Sequence, residues 1–316
     1  MDNIEILFPL DPFEELIIEI GYDSLENWLN FWKKKNDLLS TAYSYYGQKS
    51  KDDWIWGLVL PILSEAYCLK NKNEARKIIG ISALPGTGKT TLGLLLEKLS
   101  LQLDFKISVV SLDDFYLPSN EMEKAIKDNP WNVSRGFPGS HSLDLMENKL
   151  KKWKQTGELN VPIYDKSLRN GLGDRLDWRE DSPDLVILEG WFLGVTPIYN
   201  NFFDNQEKIK LLTTEELHYV QEIQKELYNY LKIWRLINKI WRLKPEKFSY
   251  MNNWKIQQEK EMLHKKGNAL IKDKLDNFLR MLNTCIPQES FDQINSDSII
   301  TLNERRKLIW IGKNKN

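Results

Sequence analysis

Ile78-Ile79-Gly80-Ile81-Ser82-Ala83-Leu84-Pro85-Gly86-Thr87-Gly88-Lys89-Thr90-Thr91 is the stretch from which the fold is read. It opens as a short apolar run of strand type and turns through glycines. From Thr90 to Leu103 apolar residues then recur at helical spacing. Residues 83–90 follow the pattern of a phosphate-binding loop, with Ala83 in place of the first glycine. Each part has a physical task. Gly86 and Gly88 let successive backbone N–H groups point into one concavity. A helix starting near Lys89 adds its positive end to that concavity. Lys89 is placed to reach the β- and γ-phosphates of a nucleotide, and the Thr90 hydroxyl to bind Mg²⁺. Leu84, Pro85, Gly86, Thr87, Gly88, Lys89, Thr90 and Thr91 are therefore the expected ATP-binding residues.

Downstream, Ile107–Ser111 and Leu185–Leu188 are further short apolar runs flanked by helical stretches, and Ser298–Leu302 reads as a late strand. Such runs belong to a parallel sheet covered on both faces. The expected fold class is α/β, a P-loop NTPase fold with helices on both faces of the sheet. Eleven of the sixteen glycines lie between Gly80 and Gly194, where turns bring backbone close to a ligand. Two strand ends carry acids. Asp184-Leu185-Val186-Ile187-Leu188-Glu189-Gly190 ends on Glu189, where a P-loop fold keeps the carboxylate that serves the metal. Ser111-Leu112-Asp113-Asp114-Phe115-Tyr116 follows the second strand. Adjacent acids point in different directions from a strand end, so one can face the γ-phosphate and take a hydroxyl proton. Asp113 is the first choice for this base and Asp114 the second.

Residues 1–75 read as a helical N-terminal extension and 76–316 as the kinase domain. Within the latter, about 205–282 reads as a helical, lid-like region. Ile233-Trp234-Arg235-Leu236 recurs as Ile240-Trp241-Arg242-Leu243, and a period of seven would put both tryptophans on one helix face. The 316 residues carry 44 Lys+Arg against 45 Asp+Glu, a net charge of −1. Residues 1–75 hold 7 basic and 13 acidic residues; the remainder has an excess of five basic residues. That balance suits small anionic ligands, and no basic stripe with interleaved aromatics argues for nucleic acid. Two distant cysteines, Cys68 and Cys285, exclude a disulfide framework. The acidic first twenty residues do not read as a signal peptide. The longest apolar run, Leu58–Leu63, is far below the ~18 residues of a membrane span. The expectation is a cytoplasmic protein without membrane or nucleic-acid partners. A GTPase reading fails, because no Asp-x-x-Gly follows the loop and the Asn71-Lys72 pair precedes it. A small-molecule kinase remains.

Ser111–Tyr116, Val161-Pro162-Ile163-Tyr164-Asp165 and Leu188-Glu189-Gly190 resemble motifs of the uridine kinase, phosphoribulokinase and pantothenate kinase group. A closer resemblance, over about residues 76–316, is to the D-glycerate 3-kinases of photorespiratory type. It is carried by Arg135-Gly136-Phe137-Pro138-Gly139-Ser140-His141, Tyr164-Asp165-Lys166-Ser167 and Gly171-Leu172-Gly173-Asp174-Arg175. Glu189-Gly190-Trp191-Phe192-Leu193-Gly194, Trp254-Lys255-Ile256-Gln257-Gln258-Glu259 and Asn303-Glu304-Arg305-Arg306 continue it. Lys255 stands where that family usually has arginine. The resemblance implies phosphorylation of D-glycerate by Mg²⁺-ATP to 3-phosphoglycerate. Asp113 and Lys89 would be catalytic, Thr90 and Glu189 would hold the metal, and Lys255 would contact nucleotide. His141, Tyr164, Lys166, Arg169 and Arg175 would bind the acceptor, Arg175 as a planar clamp on its carboxylate. Lys255, Lys265 and Lys266 are candidate lid cations. The alternatives are a kinase of another hydroxyl acceptor, of nucleoside or pantothenate type, or a catalytically silent ATP-binding regulator.

Overall fold

The computed structural model describes residues 7–46, 51–71, 75–198, 206–266 and 270–314. Six strands form one sheet in the order β2-β5-β1-β6-β7-β8. They are β1 (Ile78–Ala83), β2 (Ile107–Ser111), β5 (Leu185–Gly190), β6 (Lys239–Pro245), β7 (Ser298–Leu302) and β8 (Leu308–Lys313). All pairings are parallel except the last, between β7 and β8. β3 (Leu159–Asp165) and β4 (Asp174–Asp181) make a separate antiparallel hairpin. β1 and β5 are buried along their whole length, which explains why they read as unbroken apolar runs.

Helices cover both faces. On one lie α1 (Leu10–Ile20), α2 (Leu25–Lys33), α3 (Asn36–Tyr46), α4 (Asp52–Trp54), α5 (Leu60–Asn71) and α6 (Lys89–Ser100). A wider π-helical stretch, Ile55–Val59, joins α4 to α5. The N-terminal helices share one core with Ile79, Ile81, Trp241 and Ile300 of the sheet. Inside it the Ser64 hydroxyl accepts from the indoles of Trp28 and Trp32, at 2.8 and 2.9 Å, and donates to Leu60 O. The four-residue spacing of the tryptophans puts both on one helix face. The other face is packed by α8 (Leu143–Thr156), α10 (Thr214–Trp234) and α12 (Lys272–Thr284). The shorter α7 (Ser119–Ala125), α9 (Gln206–Ile209) and α13 (Gln288–Asp292) and the longer α11 (Tyr250–Lys266) complete the chain.

One expectation is corrected here. The helical region from Leu211 to Leu282 is broken by β6, an inner strand between β1 and β7. Trp234 ends α10, whereas Trp241 lies in β6. The two tryptophans therefore share no helix face. In β6, Trp241 and Leu243 join one core while Ile240 packs against the other, the period-two signature of a strand. Cys285 is buried and Cys68 half-buried, and neither is in a disulfide. Among the described residues no helix is long and apolar enough to cross a membrane.

Candidate active site

The loop after β1 takes the conformation its glycines allow. Gly86 has φ +76° and Gly88, which caps α6, has φ +110°. At Gly86 the need is also steric: a Cβ there would lie 2.6 Å from the carbonyl carbon of Trp254. The Thr87 hydroxyl donates to Leu84 O at 2.5 Å, and Lys89 Nζ to the same oxygen at 3.3 Å. Lys89 opens α6, and its ammonium folds back over the loop. Thr90 and Thr91 follow in the first turn, both exposed.

β2 and β5 bring the acids to this rim. Their register sets Ser111 beside Glu189. Glu189 is buried, which raises its carboxyl above the ordinary range; Lys89 and the Ser111 hydroxyl oppose the rise. The two adjacent aspartates are separated by local structure. Asp114 Oδ2 accepts from Ser111 N at 3.1 Å and closes a capping box on the turn Leu112–Phe115. Its carboxyl is pushed up to about 6 by burial and by Asp113. Asp113 points the other way, to Lys166 Nζ at 2.5 Å. Burial would raise Asp113, but Lys166 and the Tyr116 hydroxyl hold it well below the usual carboxylate range. Burial lowers Lys89, and the charges of Glu189, Asp113, Lys166 and Lys255 all act on it. These five groups thus form one electrostatic cluster around the loop.

Behind Asp113 lies an aromatic and histidine layer. Tyr116 pairs with His141 through a β-bridge, stacks on its ring at 4.6 Å and meets the Tyr164 ring edge-on. Gly139 N donates to the Tyr230 oxygen at 3.1 Å, and that hydroxyl lies 2.7 Å from His141 Nδ1. With the phenol donating to Nδ1, a neutral imidazole carries its proton on Nε2. Burial, which pushes His141 down to about 4, favours that neutral form. His141 Nε2 and Arg175 Nε are both buried without a hydrogen-bond partner among the described residues. Arg175 Nη2 donates to Tyr116 O and Ser142 Oγ, at 3.0 and 3.1 Å, so both orphaned nitrogens flank the same tyrosine.

The expected acceptor residues are not all together. Arg169 pairs with Glu123 at 2.5 Å on the surface, in a pair separate from the cluster. Tyr164 contributes its ring to the layer, and its hydroxyl donates to Leu172 O at 3.3 Å. Lys255 is drawn to buried Glu259 at 2.5 Å and lies over the Phe278 ring. The side chains of Lys265 and Lys266 lie outside the described residues.

Three residues here, Arg306, Trp54 and Tyr230, were given no role from sequence. Arg306 Nε donates to Gly86 O at 2.7 Å, Nη2 to Trp254 O at 3.2 Å, and the guanidinium lies over the Trp254 ring. The Trp54 indole donates to Arg306 O at 2.7 Å. Tyr230 sits in α10, 89 positions from the histidine it orients. Arg306 lies in the quoted Asn303–Arg306 motif; Trp54 and Tyr230 have no local signal.

Comparison with known proteins identifies the family. The Phosphoribulokinase / Uridine kinase family model matches residues 78–243, just over half of the chain. An uncharacterized kinase of Schizosaccharomyces pombe, mug58, is 31% identical over 209 residues, 61% of this chain and 75% of that protein. The chloroplastic D-glycerate 3-kinase of Arabidopsis thaliana is 34% identical over 195 residues, 58% of this chain and 41% of that protein. Among solved structures, D-glycerate 3-kinase from Cryptococcus neoformans superimposes with a TM-score of 0.68 at 28% identity. That match covers 81% of this chain and 96% of the other.

Proposed function

The chain belongs to the phosphoribulokinase/uridine kinase family and is an ATP-dependent small-molecule kinase; from that premise we propose that its acceptor is D-glycerate and its product 3-phosphoglycerate. The observation that carries the acceptor is the pair of orphaned nitrogens beside Tyr116. Buried polar atoms are seldom left without a partner, and water or a ligand satisfies those the protein does not. His141 Nε2–H suits a hydroxyl oxygen and Arg175 Nε–H a carboxylate oxygen, the two functions a hydroxy acid offers. Similarity to two D-glycerate 3-kinases supports the same choice.

In this reading Asp113 is the base. Lys166 keeps it ionised at neutral pH. A carboxylate oxygen takes the proton of the acceptor hydroxyl as that oxygen forms its bond to the γ-phosphorus. The bond from phosphorus to the bridging oxygen breaks, and the electron pair leaves with ADP. Lys89 and the loop N–H groups offset charge on the moving phosphoryl. Thr90 and Glu189 are hard oxygen donors of the kind Mg²⁺ takes. When bound, Mg²⁺ neutralises phosphate charge. Arg175 also anchors the β3–β4 hairpin to Tyr116, so it orients the acceptor layer while its Nε binds.

The test is ADP release with Mg·ATP and D-glycerate, L-glycerate, uridine or pantothenate. Selective turnover of D-glycerate, with 3-phosphoglycerate identified by mass and NMR, is expected. Turnover of uridine or pantothenate in its place overturns the acceptor and keeps the kinase.

A further inference from the structure

A second pocket opens on the other side of β1 from the acid cluster. It is a cavity of about 470 Å³, lined by Ser82 of β1, Trp191, Phe291 and the end of β6. Arg242 lies on its wall with 9% of its side chain exposed, in register with Ser82. A guanidinium brings five N–H donors. Among the described residues this one makes a single hydrogen bond, to Asp292 Oδ1 at 3.2 Å. Lys244, two positions along the strand, reaches the same oxygen at 3.2 Å. Two cations thus share one carboxylate that is itself half-exposed. Glu246 and Lys247 at the mouth are exposed and offset one another. The inner pocket is left with one uncompensated positive charge against aromatic walls. Burying a guanidinium is costly unless its donors are used, and the protein supplies only one partner.

We propose that this pocket binds a small organic anion, with a carboxylate or phosphate head on the Arg242 fork and a flat apolar body against Trp191 and Phe291. The site lies on the β6 side of β1, away from Asp113 and Glu189. Its lining includes Ser82 and, from the phosphate loop itself, Ala83 and Leu84, so a ligand there adjoins the nucleotide.

Benzoate and phenyl phosphate are suitable probes, measured by titration calorimetry on full-length enzyme saturated with Mg·ADP. One further site per chain is expected, and the better-bound probe identifies the head group. Arg242→Gln should weaken that binding about ten- to a hundredfold, the value of a charge-assisted hydrogen-bond pair. Asp292→Asn should act in the opposite direction, tightening it about three- to tenfold by removing the competing carboxylate. Asp292 is half-exposed, so this variant keeps the inference testable if Arg242→Gln fails to fold. ADP affinity should be unchanged in both. Absence of a second site under saturating Mg·ADP, or binding that Asp292→Asn leaves unchanged or weakens, overturns the proposal.

Discussion

The phosphate loop is gripped from two sides by different physics. On the β2–β5 side, Asp113, Lys166, Glu189 and Lys89 act through charge. On the side of α11 and the β7–β8 turn, Trp254, Arg306 and Trp54 act through shape. There the bonds run to backbone carbonyls, a guanidinium lies over an indole, and glycine backbone packs where no Cβ would fit. The first side fixes protonation states. The second fixes the path of the loop whose N–H groups must meet phosphate. Damage to the first should appear in turnover, and damage to the second in nucleotide affinity.

The largest effect that would sharpen this contrast is at Asp113. Asp113→Asn should lower kcat by about 10²- to 10⁴-fold, the usual worth of a positioned base, with ATP affinity unchanged. Stopped or single-turnover assays and ATP titration check it; undiminished turnover removes Asp113 as the base.

Lys166→Gln comes next. Burial favours the neutral acid, and Lys166 is the main force against it. Without Lys166 the Asp113 pKa rises, so the acid limb of the kcat/KM profile should move to higher pH. At neutral pH the fall should be about ten- to a hundredfold. A pH profile superimposable on that of the wild type would contradict the pairing.

On the opposite side, Arg306→Ala should raise the KM for ATP about tenfold while kcat stays within about threefold, because it releases Gly86 O and the Trp254 backbone without touching the acids. A loss confined to kcat would break the distinction between the two sides. The smallest effect is Trp54→Phe. It keeps an aromatic ring but loses the indole's outer edge near Gly88 and one hydrogen bond to Arg306 O, a cost of about 1–2 kcal/mol in stability with about a twofold change in ATP affinity. Thermal melts and nucleotide titration measure both.

How much was legible follows the same division. The charge side lies on contiguous motifs. A strand, a glycine turn and a lysine announce the loop, and an acid at the end of an apolar run announces Glu189. Sequence alone left Asp113 and Asp114 open. The capping box ties Asp114 to the Ser111 backbone and leaves Asp113 facing Lys166, which supports the proposed base. The shape side is assembled from residues 54, 86, 254 and 306, and no local pattern links them. Nor could periodicity find β6. Ile-Trp-Arg-Leu occurs once at the end of a helix and once in a strand, and a four-residue apolar run fits both. Pairing with β1 and β7 settles the second copy.

The sequence by itself determined the α/β class, the phosphate loop and the acids at two strand ends, because those depend on backbone freedom and burial over a few consecutive residues. Folding alone sets which aspartate faces Lys166, that the Tyr230 hydroxyl meets His141 Nδ1, and that Arg169 is spent on Glu123. Hydrogen bonds and ion pairs of that kind act over a few ångströms, between residues tens to hundreds of positions apart, and exist only once the sheet has brought its strand ends to one rim.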